Sequence, residues 1–446
     1  MQNKSINKNI RGLKGEITIP ADKSISHRAV IFSSLAKGES VIENFSKGAD
    51  CLSTLSVFKS LGVEAQFKDD KTLIIKSKGL FTRTSELYCG NSGTTMRLIS
   101  GILAGQKFDS VLTGDESLSK RPMARVIKPL ELMGANIVSN ENKAPLKICG
   151  RKLHGIDYIS QLASAQVKSC VLLAGLHAHG KTSFTEPYLS RNHTELMLEY
   201  LGANICSEVK SKKQKAKSNA STFDLLPFAF CPKTTIEKSK LIPKEITIPG
   251  DISSAAFFIV AGLIVPNSEI ILKNVGLNPT RTGILDVVQK MDGNIQILDK
   301  KSVSNEEVGD LKVKYSQLKG CTIEGALIPR LIDELPVIAV LATQAEGKTI
   351  IKDAQDLRNK ESDRIKAVVT ELKKLGANIK ETPDGFIIEG KSKLTGGATV
   401  ETYHDHRLAM SLYVAGLICE NPILINEFDW VNISFPEFES LMNNLN

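Results

Sequence analysis

The stretch EITIPADKSISHRAVIFSSLAKGES, Glu16 to Ser40, returns in altered form as EITIPGDISSAAFFIVAGLIVPNSE, Glu245 to Glu269. A chain that repeats so long a segment near its midpoint is constrained to fold as two related halves. The copies differ in kind: Lys23, His27 and Arg28 of the first become Ile252, Ala256 and Phe257 in the second, so the scaffold is kept while the charge is not. At 446 residues the chain also exceeds what one hydrophobic core usually serves. Two chemically unequal lobes are expected, with a cleft between them. One spans 21–245; the other combines 1–20 with 246–446. They should hinge near residues 20 and 245 when the first substrate arrives.

Self-similarity continues inside each half. A helical pattern ends in SLGVEA at 60, LMGANI at 132, YLGANI at 200, KMDGNI at 290 and KLGANI at 374, each with Gly at or just past the cap and a strand beginning after it. Ahead of each lies another apolar helical pattern running through a small or polar turn into a strand: SSLAKGESVIENF, GILAGQKFDSVLTG, LLAGLHAHGKTSFTE, VAGLIVPNSEIILKN, VLATQAEGKTIIKDA and, last, LYVAGLICENPILINE. Six units thus share the order helix, strand, helix, strand, three to a lobe. The sixth has no closing Gly signature before Asn446. Only EVKSKKQKAKSNAST, 208 to 222, breaks the rhythm; without interleaved aromatics it reads as a solvated insertion rather than a nucleic-acid arm.

Polar clusters open the first helix of every unit: DKSISHR at 22, GNSGTTMR at 90, SAQVK at 164, GDISS at 250, DELP at 333 and DHR at 405. Second helices open with GAD at 48, KRPMAR at 120, SRNHTE at 190, PTRTG at 279 and NKESDR at 359. A helix N-terminus carries free N–H groups and about half a positive charge. Lys23, Arg28, Arg97, Arg121, Arg125, Arg191, Arg281, Lys360, Arg364 and Arg407 at such starts therefore call for anions. Single members have ordinary readings too: Lys360 and Arg364 suit a surface pairing with Glu361 or Asp363, and Arg97 and Arg125 a solvated face. The formal charge of +8 also favours anionic partners.

Several chemistries lack their residues. There is no Walker GxxxxGK[ST], no GxGxxG and no GxSxG elbow. The pairs His404/His406 and His177/His179 have no third ligand at metal-binding spacing. The eight cysteines form no CxxC pair and sit in no polar helix start, so neither a disulfide framework nor a thiolate nucleophile is expected. No apolar run reaches the roughly 18 residues of a membrane span, and MQNKSINKNIRGLKGE has no signal-peptide h-region. A cytoplasmic monomer is expected, acting without metal or cofactor. What remains is acid–base work among cations. Asp333 follows an apolar IPRLI segment at the start of a very apolar helix, where desolvation makes a carboxylate a better base; the same place suits an N-cap. Glu361 lies between Lys360 and Arg364.

The set DKSISHRA, GNSGTTMRL, SKRPM, SAQVKS, EPYLSRNHTE, PGDISSAAFF, LIDELPVIAVLA, NKESDRI and DHRLAMSL runs in order across nearly the whole chain. It closely resembles the 5-enolpyruvylshikimate-3-phosphate synthase family. The resemblance implies a two-lobed inside-out α/β barrel, each lobe three βαβαββ units with pseudo-threefold symmetry. It implies transfer of the enolpyruvyl group of phosphoenolpyruvate to the 5-hydroxyl of shikimate 3-phosphate, with release of phosphate through a tetrahedral intermediate, in aromatic amino acid biosynthesis. Carried over by motif, the catalytic residues are Asp333, Glu361 and Lys23. Shikimate 3-phosphate falls to Lys23, Ser24, Arg28, Ser164, Ala165, Gln166, Ser190, Arg191, Asp333 and Lys360; phosphoenolpyruvate falls to Lys23, Gly93, Arg121, Gln166, Arg364, His406 and Arg407.

The sequence departs from the family in places. Some members carry Lys just before the C-terminal FP dipeptide, where this chain has Ser434, and Ala165 stands where others have a second Ser. SRNHTE resembles a sub-class that includes glyphosate-tolerant enzymes, whereas Gly93 is the small residue associated with glyphosate access. Two rival readings stand beside this one. The sister transferase acting on UDP-N-acetylglucosamine has a catalytic loop Cys, which Gln106 to Lys120 lacks. A non-catalytic binder of anionic polymers would account for the charge and the lysine-rich insertion.

Overall fold

The glycine signatures end helices because the backbone there turns left-handed. In a computed structural model describing residues 2–9, 11–81, 86–209 and 231–445, Gly62, Gly134, Gly202 and Gly376 take φ of 85°, 90°, 84° and 98°. Each lies just past the cap of the helix before it, where a Cβ would be strained. In KMDGNI the left-handed position falls instead on Asp292, at φ 59°. Most of the stretch at 208 to 222 lies outside the described residues.

The chain divides into two compact units, Ser24–Thr247 and Met1–Lys23 with Ile248–Asn446, here the N-terminal and C-terminal units. The sequence reading set the crossings at 20/21 and 245/246. In the N-terminal unit one sheet pattern recurs three times. Glu86–Tyr88 runs parallel to Ser110–Thr113, which pairs antiparallel with Lys143–Cys149, which pairs antiparallel with Asn136–Asn140. Asp157–Ile159, Thr182–Thr185, Pro232–Ile236 and Ile205–Val209 repeat it. A third sheet holds Gly38–Glu43, Leu73–Ser77 and Glu64–Phe67. Its leading parallel strand is Glu245–Thr247, from the far end of the unit.

The C-terminal unit mirrors that exchange. Lys14–Thr18, from the first sequence copy, runs parallel to Glu269–Gly276 and leads the sheet that follows the second copy. The next sheet is built on Ala345–Ile351. In the last, Thr399–Val400 runs parallel to Ile423–Ile425, and Lys4–Ile6 pairs antiparallel with the latter. The chain's first strand thus supplies the antiparallel partner that the sixth unit does not make for itself.

The helices sort by pattern. Ile252–Ile264, Leu335–Thr343 and His406–Gly416 are buried almost all round, as are Lys23–Leu35, Gly93–Ala104 and Ala165–Gly175, which places them inside their units. Helices such as Arg364–Lys374 bury only a stripe, with Ile365, Val368, Val369 and Leu372 at helical spacing. Helices inside and sheets outside make the inside-out α/β arrangement, three βαβαββ repeats to a unit. The two sequence copies differ for a packing reason. Arg28 donates to Thr194 Oγ1 at 2.7 Å and Ser169 Oγ at 2.9 Å, whereas Phe257, at the matching place, packs edge-on against Phe438 of the C-terminal segment at 5.9 Å.

Within the N-terminal unit the inner helices approach backbone to backbone. A Cβ at Gly101 would lie 2.1 Å from the carbonyl oxygen of Cys170. Gly101→Ala should therefore destabilise by about 3 kcal/mol, as overpacking of a filled core does. A urea midpoint equal to the parent's would show that the two helices separate freely.

Candidate active site

The buried helices begin at the polar clusters: Lys23, Gly93, Ala165, Ile252, Leu335 and His406 are their first residues. Capping accounts for part of this. Ser92 Oγ accepts from Thr95 N–H, Asp251 from Ser253 N–H and Asp405 from Arg407 N–H. Ser164 caps its helix without a side-chain bond. Asp333 is not a cap, since that place falls to Glu334.

In the C-terminal unit Arg364 is the centre of the arrangement. Its Nε donates to Asp405 Oδ2 at 2.7 Å, and Nη2 donates to Glu361 Oε2 at 2.7 Å and to Asp405 Oδ1 at 3.2 Å. Nη1 donates to Asp333 Oδ1 at 3.3 Å, and the same oxygen receives Lys360 Nζ at 3.2 Å. One buried guanidinium therefore joins three carboxylates. Burial opposes its charge, yet Asp405 and Glu361 raise its pKa above the ordinary arginine value. Burial likewise opposes the charge of Asp405, and Arg364 outweighs it, holding the carboxyl below its usual range. Asp333 meets two cations where the sequence pointed to apolar surroundings, and cations favour the carboxylate.

Beside this cluster, Lys23, Asp251, Ser254, Phe257, Arg407, Met410 and Ser434 line one recess. Ser434 thus sits with Lys23 and Arg407. Arg407 Nη1 donates only to the carbonyl of Asp333, at 3.3 Å, and among the described residues no carboxylate pairs with it. His406 is buried, and its Nε2 has no hydrogen-bond partner among the described residues. Burial, then the neighbouring charge of Lys23, pushes its pKa down to about 4, so it is neutral at pH 7.

In the N-terminal unit the starts of the second and third inner helices meet. Arg97 Nη1 donates to Gln166 Oε1 at 2.7 Å, and Gln166 Nε2 donates to Thr94 Oγ1 at 3.0 Å. Gly93 leaves room for both arginines: a Cβ there would stand 3.1 Å from Arg97 Nη1 and 3.5 Å from Arg121 Nη1. Arg121 is oriented by Asn91 Oδ1 at 2.7 Å and Ser117 Oγ at 3.3 Å, again with no carboxylate among the described residues. Arg28 also donates to the Ser24 carbonyl at 2.9 Å. Ser190 is buried with its Oγ unpartnered among the described residues, and Arg191 beside it is half-buried.

The structure answers some cations internally. Arg281 is buried between Asp22 and Asp251, each at 3.1 Å, so its anions belong to the protein; Arg125 is exposed. His404 stacks on Trp430 at 4.7 Å and meets Glu427 at 3.1 Å, and among the described residues no metal-holding group of His, Cys, Asp or Glu gathers. Sequence reasoning assigned no role to Asp405, although an acid just before a helix was visible in DHR. It counted Arg97 among the helix-start cations, with a solvated face as the ordinary reading, where the structure bonds it to Gln166; it gave no role to the buried Lys168, which pairs with Glu186 and Glu195 at 2.8 and 2.7 Å.

The sequence matches the family described as EPSP synthase (3-phosphoshikimate 1-carboxyvinyltransferase) over residues 7–228 and 229–442. A 3-phosphoshikimate 1-carboxyvinyltransferase of Thermoanaerobacter sp. (strain X514) is 53% identical over 431 residues, covering 96% of each chain. That of Thermodesulfovibrio yellowstonii is 52% identical over 444 residues, 98% of each. Among solved structures, an EPSP synthase from Acinetobacter baumannii superposes with a TM-score of 0.85 at 41% identity, over 100% of this chain and 98% of that one. An enolpyruvyl transferase from Streptomyces tendae, at 16% identity and a TM-score of 0.75 over 99% and 96%, shares the fold.

A histidine whose pKa is depressed on folding binds its proton more readily in the unfolded chain, so stability is full above about 6.5 and is lost as pH falls toward about 4. His406 and the half-buried His177, whose pKa desolvation also lowers to about 4, should each remove up to about 3 kcal/mol across that window. His406→Asn should flatten the loss measured by urea unfolding at pH 7 and pH 4; an unchanged slope would refute the assignment.

Proposed function

The chain belongs to the EPSP synthase family, and from that premise we propose that it transfers the enolpyruvyl group of phosphoenolpyruvate to the 5-hydroxyl of shikimate 3-phosphate and releases phosphate. The observation that carries this reading is the Arg364 cluster, which gathers Asp333 and Glu361 around one guanidinium. Two acids placed against fixed cations suit a reaction that moves protons between anionic substrates.

In this reading Lys23 and Glu361 manage the proton at the enol methylene. Its protonation makes the neighbouring carbon electrophilic, and the 5-hydroxyl oxygen adds there while Asp333 takes the hydroxyl proton. The tetrahedral intermediate then loses a methyl proton and expels phosphate, restoring the double bond. Arg407 and Arg364, with Gly93, Arg121 and Gln166, receive phosphoenolpyruvate. Neutral His406 leaves the positive field beside it unaltered. Shikimate 3-phosphate is bound by Lys23, Ser24, Arg28, Ser164, Ala165, Gln166, Ser190, Arg191, Asp333 and Lys360.

Support comes from the chemistry of these groups. Arg121 and Arg407 have neutral partners among the described residues, as cations reserved for an external anion should. Ser190 Oγ and His406 Nε2 are buried polar atoms that the described protein does not use. The protein is read as a cytoplasmic monomer; among the described residues no helix is long and apolar enough to cross a membrane.

Purified, metal-stripped protein should release phosphate from phosphoenolpyruvate only when shikimate 3-phosphate is present. Asp333→Asn should lower kcat by roughly 10²- to 10⁴-fold, the usual contribution of a positioned general base. Turnover with UDP-N-acetylglucosamine in place of shikimate 3-phosphate would transfer the assignment to the sister reaction. Salt-sensitive RNA binding that survives Asp333→Asn and Glu361→Gln, without phosphate release by the parent, would leave only polymer binding.

A further inference from the structure

We propose that Lys168 is a positioning residue for shikimate 3-phosphate, acting through a buried ionic clamp on the backbone of Ser190. The inference rests on the reading of Ser164 to Gln166 and Ser190 to Arg191 as contacts of that substrate.

Lys168 lies in the opening turns of the helix Ala165–Gly175, with a side chain 1% exposed. Its Nζ reaches Glu186 Oε1 at 2.8 Å, Glu195 Oε1 at 2.7 Å and the carbonyl oxygen of Ser190 at 3.2 Å. Glu186 Oε1 in turn accepts the N–H of Ser190 at 3.0 Å. Both backbone polar groups of Ser190 therefore end in the same charged cluster. Glu186 follows the strand Thr182–Thr185, and Glu195 lies in the first turn of the helix His193–Tyr200. The cluster thereby ties the helix that carries Gln166 to both ends of the segment that carries Ser190 and Arg191.

Its composition argues for positioning over stability. Burial works against the charge of Lys168, but Glu195 and Glu186 outweigh it and keep the ammonium charged. Two buried acids around one buried cation stabilise a fold no better than apolar side chains of equal volume. Apolar side chains, however, cannot hold an N–H and a C=O in fixed register. What is so held is a serine whose own Oγ is buried and unpartnered among the described residues. The clamp also reaches Arg28: Thr194, adjacent to Glu195, accepts from Arg28 Nε at 2.7 Å and shares a hydroxyl–hydroxyl hydrogen bond with Ser169 Oγ at 2.6 Å.

Lys168→Met alone would strand two buried carboxylates and weaken folding, so the informative protein is Lys168→Met combined with Glu186→Met and Glu195→Met. It keeps the volume filled and removes all three charges together, while the Ser190 N–H and C=O lose their partners at some cost in stability; a single cooperative urea transition shows that the protein assayed is folded. Its KM for shikimate 3-phosphate should rise at least about tenfold, as misplaced contacts do, while its KM for phosphoenolpyruvate, measured at saturating shikimate 3-phosphate, stays within about twofold. Lys168→Arg, which keeps the charge, should retain most of the parent's affinity. Ser190→Ala is measured alongside: a rise in KM for shikimate 3-phosphate confirms the site on which the clamp acts. A triple variant with the parent's KM, or with both KM values raised alike, overturns the positioning role while the site stands. No effect of Ser190→Ala overturns the site reading and the clamp with it.

Discussion

Arg281 seals the place where the two copies of the repeated sequence cross. Asp22 N–H donates to the Pro249 carbonyl at 2.8 Å, and Asp251 N–H donates to the Pro20 carbonyl at 2.8 Å, a reciprocal pair between IPAD and IPGD. The buried guanidinium of Arg281 then bonds the carboxylates of both aspartates at 3.1 Å and Ser253 Oγ at 2.6 Å. Asp251 in addition caps its own helix and accepts the Lys23 N–H at 3.3 Å. Neither aspartate could be buried as an anion without that cation. With it, Lys23 and the helix opening at Ile252 are fixed from one support, and the backbone position of Lys23 follows from a charge balance some residues away.

The crossing explains why one strand of each copy belongs to a sheet outside its own repeat. Sequence periodicity registers helix, turn and strand, and those were legible: the five glycine signatures terminate helices, and six units are present. Strand partnership is not encoded in periodicity. EIT of the second copy reads like EIT of the first, yet Glu245–Thr247 pairs with Gly38–Glu43 while Lys14–Thr18 pairs with Glu269–Gly276. Nor does local sequence say that Lys4–Ile6 would pair with Ile423–Ile425. At KMDGNI the glycine was the visible signal, but Asp292 takes the left-handed backbone, which short polar side chains tolerate.

The candidate site was legible as residue types in polar clusters, because helix N-termini favour anions and arginines there are conspicuous. Their division into two classes was not legible. Arg364 and Arg407 both open helices in DR and HR contexts, yet Arg364 is consumed by Asp405, Glu361 and Asp333 while Arg407 meets a carbonyl. Lys168 was invisible for the opposite reason. In SAQVKSCVLL it reads as one polar position on an apolar helix, and its partners lie in another cluster, EPYLSRNHTE, whose approach only the fold supplies.

Buried charge serves two distinct ends in this protein. Around Arg281 and Arg364 it is matched by internal carboxylates, which fixes helix starts and brings Asp333 and Glu361 to one guanidinium. At Arg121 and Arg407 the partners among the described residues are an amide, a hydroxyl and a backbone carbonyl. Such acceptors orient a guanidinium without neutralising it, so the positive field of the neighbouring helix N-termini remains available. An arginine paired to an acid would have to break that pair to receive phosphate or carboxylate; one held by neutral oxygens gains a counter-ion at no such cost. Acceptor type thus sets Arg121 and Arg407 apart from Arg281: Arg281 has its counter-ions within the protein, whereas Arg121 and Arg407 have no carboxylate partner among the described residues.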